Sequence, residues 1–259
     1  MHETLQKLIG VSERIVFFGG AGVSTGSGIP DFRSAKGLYA ARYQGLTPEM
    51  ILSKSFFYLH PDIFFAFYKE YMLFPDAEPN AAHKALFAME RAGRLRGIVT
   101  QNIDGLHRKA GNHCVYELHG SVHENRCMDC GENYSLLFMV KSSGIPRCPV
   151  CGGIVKPSVV LYGESPDRFV VMGASREIGN ADLLIIAGTS LLVEPAASLL
   201  SNFRGRHKVV INRTPIPAEE DATLVIRDSV ESVLEGMNIP PVSEELRNRN
   251  ALRVHRYRP

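Results

Sequence analysis

"RIVFFGGAG", residues 14–22, sets the reading of the whole chain. An unbroken apolar run drops straight into a glycine turn, as a buried strand does when it delivers a loop to the edge of its sheet. Five further runs behave alike: "RGIVTQNID" (96–104), "CVYELHG" (114–120), "ADLLIIAGTS" (181–190), "HKVVINR" (207–213) and "ATLVIRD" (222–228). Helical patterns fall between several of them, at "NAAHKALFAMERAG" (80–93), "PAASLLSNF" (195–203) and "SVESVLEGM" (229–237). Continuous rather than alternating apolar strands, interleaved with helices, indicate an α/β protein with a parallel sheet covered on both faces. The polar signatures GAG, TQNID, HG, GTS and INR follow the strands directly. In open sheets of this kind ligands bind at the carboxyl ends of the strands, so these turns mark the expected site.

Two segments break the rhythm. Residues 34–75 are rich in aromatics and read as two or three helices, while residues 123–154 carry paired cysteines and little helix signal. Both look like insertions that fold together into a small domain, leaving residues 1–33, 76–122 and 155–237 for the large one. From Asn238 the composition turns to Pro, Arg and Asn. Such a segment cannot bury a core, so 238–259 is expected to be a solvated basic tail, with contact to an acidic partner as the alternative.

The 259 residues are 45% hydrophobic and 22% charged, as in ordinary soluble globular proteins. A formal net charge of +2 is too small to argue for nucleic acid or an anionic membrane as the main partner. No run of about 20 apolar residues suits a membrane span. The N-terminus "MHETLQKLIGVSERIVFF" lacks a signal-peptide layout, so a cytoplasmic location is expected.

Four of the five cysteines form two Cys-x-x-Cys pairs, Cys127/Cys130 and Cys148/Cys151, separated by seventeen residues. That is the spacing of a zinc ribbon, with Gly131 after the first pair and Gly152 and Gly153 after the second to close tight turns. Four thiolates would fill a tetrahedral shell and leave no position for water or substrate, which makes one structural zinc the expectation. Redox dithiols or iron are the alternatives. Cys114, inside an apolar run, reads as a packed residue. The chemistry must therefore lie elsewhere.

"GGAGVSTGSGIPDFR" (19–33) follows the first strand as a dinucleotide-binding loop does, Gly20 and Gly22 letting the backbone approach a pyrophosphate. By itself this is weak evidence, and the continuation "SGIPDFR" is not that of a dehydrogenase. It reads as a loop over a ligand, with Asp31, Phe32 and Arg33 held close together. "TQNID" places Gln101, Asn102 and Asp104 at another strand end, where any one alone could be a solvated cap. His119 closes "CVYEL". A lone histidine in such a place is more often structural, yet imidazole is the side chain able to take and return a proton near neutrality.

Together these residues resemble the sirtuin family, the NAD-dependent protein lysine deacylases. The matches in order are "GAGVSTGSGIPDFR", "PNAAH" (79–83), "TQNIDGLHRKAG" (100–111), "ELHGS" (117–121), the cysteine pairs, "KPSVVLYGE" (156–164), "GTSLLVEP" (188–195) and "INR" (211–213). The resemblance implies a Rossmann-like doubly wound domain and a smaller domain of helical insertion plus zinc ribbon, with NAD and an acyl-lysine protein or peptide in the cleft between them. It implies that Gly20, Ala21, Gly22, Thr25, Asp31, Phe32 and Arg33 hold the pyrophosphate and cover the nicotinamide ribose. Gln101, Asn102, Ile103 and Asp104 would line the ribose and nicotinamide pocket, and Gly188, Thr189, Ser190, Asn212 and Arg213 the adenosine half, with Ser229 and Val230 near the adenine. Val159, Val160, Leu161, Tyr162 and Gly163 would pair as a strand with the substrate peptide.

The implied reaction consumes NAD. The acyl oxygen attacks the anomeric ribose carbon, nicotinamide leaves, and His119, with Asn102 beside it, serves as the base that activates a ribose hydroxyl. That hydroxyl attacks the resulting imidate carbon, and water completes the transfer, giving free lysine and O-acyl-ADP-ribose. Succinyl-selective members carry Tyr-x-x-Arg on the helical insertion; here Tyr68 is present but Tyr71 stands at the arginine position. Without the guanidinium fork a buried carboxylate lacks its partner, so acetyl and other uncharged acyl groups are expected. Arg42 or Lys69 could substitute. The competing classes are an NAD-dependent mono-ADP-ribosyltransferase, a non-catalytic zinc-ribbon binding module, and, least well matched, a dehydrogenase.

Overall fold

The computed structural model describes residues 2–32, 34, 37–40 and 42–242; Arg33 and the tail from 243 lie outside the described residues. One sheet holds β1 (Ile15–Gly19), β2 (Leu95–Thr100), β3 (Val115–Glu117), β7 (Leu183–Ala187), β8 (His207–Ile211) and β9 (Leu224–Ile226). Its order is β3-β2-β1-β7-β8-β9 and every pairing is parallel. The six apolar runs read from the sequence are these six strands. β1 is buried along its length because both faces are covered: Ile15 and Phe17 join one core layer, Val16 and Phe18 the other, as the period of two requires. The first layer is closed by α1 (His2–Val11), α5 (Ala81–Arg91) and α9 (Val230–Leu234), the second by α8 (Arg168–Asn180).

α8 carries no clear helical stripe. Only Ala174 and Ile178 are buried, while Phe169 and Met172 face solvent, so its apolar residues do not mark its inner face. Its start is fixed by Asp167, whose carboxylate accepts from the amides of Phe169 and Val170. "PAASLLSNF" forms a 3-10 turn over Ala197–Asn202 rather than an α-helix.

The second sheet is antiparallel, with β4 (Gly120–Cys127) between β5 (Asn133–Tyr134) and β6 (Val155–Val159). Residues 155–159, which the sequence groups with the large domain, thus hydrogen-bond to the strand that ends in Cys127. α2 (Pro48–Ile51), α3 (Lys54–Leu59) and α4 (Pro61–Tyr71) share one apolar core with this sheet. α4 contributes Phe64, Phe65, Phe67 and Tyr68, all buried, each phenylalanine worth about 1.5–3 kcal/mol when taken from water. The remaining helices are α6 (Leu106–Lys109) and α7 (Leu136–Lys141), the latter capped by Ser135 in a segment with little helical pattern.

Residues 238–242 are docked rather than solvated. The Arg94 guanidinium donates to the carbonyls of Ile9, Ser12, Pro240 and Pro241, and the amide of Val242 donates to Ala92. Val242 is buried. Ile239 also packs against the core, so the first residues of this segment are held by backbone carbonyls and two apolar side chains together. No helix among the described residues is long and apolar enough to cross a membrane.

Candidate active site

In this strand order β1 and β7 are neighbours, but the chain leaves them for opposite halves of the sheet, which opens a crevice beyond their carboxyl ends. Gly20 to Gly22 follow β1 and Gly188 follows β7. The Gly22 amide donates to the Gly188 carbonyl at 2.8 Å, and the Gly20 amide to Ala187 at 3.2 Å. Gly188 has φ +59°, and a Cβ there would lie 2.6 Å from the Val23 nitrogen. Glycine is required at this crossing on both counts.

A cavity of about 310 Å³ lies over it. It brings together Ala21, Gly22, Thr25, Asp31, Phe32 and Gln101 from one side and Gly188, Thr189, Ser190, Asn212, Arg213, Ser229 and Val230 from the other. Gly20 sits beneath the wall, against Thr189. Backbone amides in a tight turn with a nearby guanidinium can hold an anion, and the volume suits a nucleotide rather than an ion.

The nucleotide cavity meets a second one, of about 200 Å³, at Ala21, Phe32 and Gln101. His119, Asn102, Ile103 and Tyr68 line it, with Val159, Val160, Leu161, Tyr162 and Gly163 along one wall. The Val160 amide donates to the His119 carbonyl at 2.9 Å, so the wall and the histidine are tied together. Val193, Glu194 and Pro195 form another part of the wall. The sequence reading assigned these three no role, although they stand inside "GTSLLVEP".

His119 Nδ1 lies 3.0 Å from the Gln101 carbonyl oxygen. A carbonyl only accepts, so Nδ1 carries the proton and Nε2 keeps its lone pair in the neutral ring. Burial pushes this imidazole below its ordinary value of 6.5, and the bond to Gln101 pulls part of the way back. The Nε2 atom is therefore a base ready at neutral pH.

Asn102 Nδ2 donates to Ser24 Oγ at 3.0 Å, and Ser24 donates to Asp104 Oδ2 at 2.7 Å. Asp104 also caps α6 through the Leu106 amide. Behind this chain Asn80 donates to the Val23 carbonyl and, with His83, forms a capping box on α5. A third, smaller cavity of about 50 Å³ is lined by Asn102, Ile103 and Asp104 together with apolar Ile29, Pro30 and Val122. Gln101 Nε2 is buried and has no partner at the junction of the two larger cavities, a donor that awaits a ligand oxygen.

The four sulfurs of Cys127, Cys130, Cys148 and Cys151 lie within 4.8 Å of one another. Cys127 and Cys151 are 3.4 Å apart, Cys130 and Cys148 3.6 Å. A tetrahedron with Zn–S of about 2.3 Å has edges of about 3.8 Å, so the cluster fits one zinc. Each pair sits on a matched knuckle: the Gly131 amide donates to the Cys127 carbonyl and the Gly152 amide to that of Cys148, with both glycines at φ +78°. Tyr134 places its hydroxyl 3.0 Å from Cys148 Sγ, a supporting contact of the kind that orients metal ligands.

A doubly wound parallel sheet with a nucleotide-sized crevice at its switch point, braced by a four-cysteine metal module, defines a Rossmann-like class with a structural zinc site. Residues 20–195 match the Sir2 family, and the chain belongs to that family. A Clostridium acetobutylicum protein named NAD-dependent protein deacetylase is 52% identical over 233 residues, 89% of this chain and 95% of its own. A Staphylococcus aureus protein of the same name (strain MSSA476) is 42% identical over 236 residues, 91% of this chain and 97% of its own. Among solved structures, a Sir2 variant with a deacetylated p53 peptide and 3′-O-acetyl-ADP-ribose has a TM-score of 0.82 at 34% identity, covering 90% of this chain and 95% of the other. A Sir2 homologue mutant with ADP-ribose has a TM-score of 0.83 at 35% identity, covering 98% and 99%.

Proposed function

We propose that the protein is an NAD-dependent protein lysine deacetylase, taking acetyl-lysine in a protein or peptide to free lysine. The observation that carries this reading is His119. Its proton is fixed on Nδ1 by Gln101, and its ring lines the cavity shared by the TQNID loop and the wall at 159–163. NAD, when bound, supplies the ADP-ribosyl group that accepts the acyl group, and it is consumed to nicotinamide and O-acetyl-ADP-ribose.

The residues divide that work. The crossed glycine turns and the 310 Å³ cavity hold the ADP-ribose half, with Asn212, Arg213, Ser229 and Val230 toward the adenosine end. Gln101 and Asn102 orient the ribose, Gln101 through its unpartnered amide. The small cavity at Ile103 and Asp104 suits a flat aromatic amide. His119 Nε2 takes the proton of a ribose hydroxyl. The wall at Val159 to Gly163 adds the substrate as a further strand. The zinc, with its shell filled by thiolates, braces the small domain and takes no part in the chemistry. A thiolate site of this kind suits a reducing compartment, which supports a cytoplasmic location.

Mass spectrometry of a reaction with NAD and an acetyl-lysine peptide, beside His119→Ala, tests the reading. Loss of acetyl matched by nicotinamide and O-acetyl-ADP-ribose, abolished in the variant, is expected. Cleavage of NAD with ADP-ribose left on protein would instead make the chain a mono-ADP-ribosyltransferase.

A further inference from the structure

We propose that Glu194 selects among acyl-lysine substrates by charge, favouring sequences that carry an arginine or lysine beside the modified residue. This inference rests on the deacylase reading above and names the substrate class of the same site.

Two carboxylates line the 200 Å³ cavity, Glu164 and Glu194, and no cation among the described residues lines it with them. Glu164 is already engaged. Its Oε2 lies 3.1 Å from Lys156 Nζ and accepts from the Leu161 amide at 3.0 Å. Glu194 makes no ion pair among the described residues. Its Oε2 accepts from the Ser198 amide at 3.1 Å and from the Ser198 hydroxyl at 2.5 Å. Those two bonds hold the carboxylate in place and leave its charge uncancelled.

The basic residues of the helical insertion do not offset it. Lys69 spends its ammonium on the carbonyls of Ser142 and Gly144, and Arg42 donates to Gly45. A peptide paired along Val159 to Gly163 shares the cavity with Glu194, so the residues flanking its acyl-lysine run past a fixed negative charge. A guanidinium or ammonium there gains a partner, and a carboxylate meets repulsion. Glu194 is exposed, so the attraction is that of a solvent-facing pair, modest in size but definite in sign.

The test uses acetyl-lysine peptides of one neutral sequence in which a single arginine, glutamine or glutamate is stepped through the flanking positions. It reads kcat/KM with the intact chain and NAD. At one position or more, arginine should exceed glutamine by about two- to fivefold, the range for a solvent-facing ion pair, and glutamate should fall below glutamine. In Glu194→Gln, which keeps an oxygen for Ser198, the arginine-to-glutamine ratio at that position should fall to about one. Because it is a ratio, any general loss of activity cancels. In Glu194→Lys the order should invert, with the glutamate peptide preferred. Native ratios below about twofold at every position overturn the inference even if neither variant folds. So does a preference for arginine that survives in Glu194→Gln. If no peptide of the series is deacetylated, the deacylase reading itself has failed.

Discussion

His119 Nδ1 donates to the Gln101 carbonyl oxygen, 3.0 Å away, and so joins the turn between β3 and β4 to the residue after β2. The bond fixes which nitrogen keeps its lone pair. Since burial lowers the folded pKa below 6.5, the neutral base predominates at pH 6.5 and is lost only as pH falls through that lower value. The acid limb of kcat/KM for an acetyl peptide should therefore have its midpoint below 6.5. A midpoint above it would remove His119 from the role of base. His119→Ala should cost about 10²–10⁴ in rate, the usual scale for a general base.

Gly22 and Gly188 cross with no room for a side chain. Their backbones are hydrogen-bonded at 2.8 Å, and a Cβ on Gly188 would meet the Val23 nitrogen at 2.6 Å. Gly188→Ala should raise KM for NAD at least tenfold and cost about 1–3 kcal/mol in unfolding free energy, since it adds a clash to a positive φ. Wild-type NAD affinity in this variant, read by titration calorimetry, would show that the crossing does not shape the nucleotide cavity.

β4 runs from beside His119 to the cysteine cluster. Cys127 ends this strand, and Gly120, which begins it, directly follows His119. Removing zinc with a chelator, or substituting Cys130→Ser, should abolish deacetylation while most of the helical circular dichroism of the large domain persists. Metal analysis should give one zinc per chain before treatment. Full activity from zinc-free protein would contradict a bracing role.

Acetyl should be removed more than tenfold faster than succinyl from the same peptide, because no described cation lines the cavity. Tyr71 is partly exposed and lines the adjoining small cavity with Met72. Tyr71→Arg should narrow the gap by supplying a fork for the carboxylate. Faster succinyl than acetyl turnover in the native protein would reverse the assignment.

The rings of His83 and His107 lie 4.7 Å apart, tilted by 53°, and His83 Nε2 with both nitrogens of His107 are buried and unpartnered. Burial lowers the pKa of His83 to about 4, partly opposed by Asp104, and lowers that of His107 well below 6.5. The folded state thus refuses protons that the unfolded chain accepts below pH 6.5. Their stabilising share is complete above that value and shrinks as pH falls toward the folded pKa. By pH 5 the loss at His83 is about 2 kcal/mol, from about 1.5 pH units at 1.36 kcal/mol each, and His107 adds to it in the same direction. Urea midpoints at pH 7 and pH 5 should draw together in His107→Leu; an unchanged difference would mean that His107 is protonated in the fold.

Much of this was legible in the chain itself. The runs at 14–19, 95–100, 115–117, 183–187, 207–211 and 224–226 could be read because strands buried on both faces must be apolar throughout. The cysteine pairs were legible because a tetrahedral ion demands two tight turns. β4 and β6 were not. They are half-wet antiparallel strands whose irregular register at Ser121 to Asn125 follows no period. α8 was hidden by apolar residues on its solvent side, and Lys69 and Arg42 could be dismissed as acyl ligands only once their carbonyl partners were seen.

The sequence by itself determined the sheet, the metal ligands and the family, for each depends on local pattern: residue type, spacing and the order of motifs along the chain. The tertiary structure decided which proton His119 holds, which wall Val193 and Glu194 complete, and that Tyr68 ends buried with an empty hydrogen bond. Those properties belong to pairs of atoms far apart in the chain. Only the packed fold sets the distance and the desolvation between them.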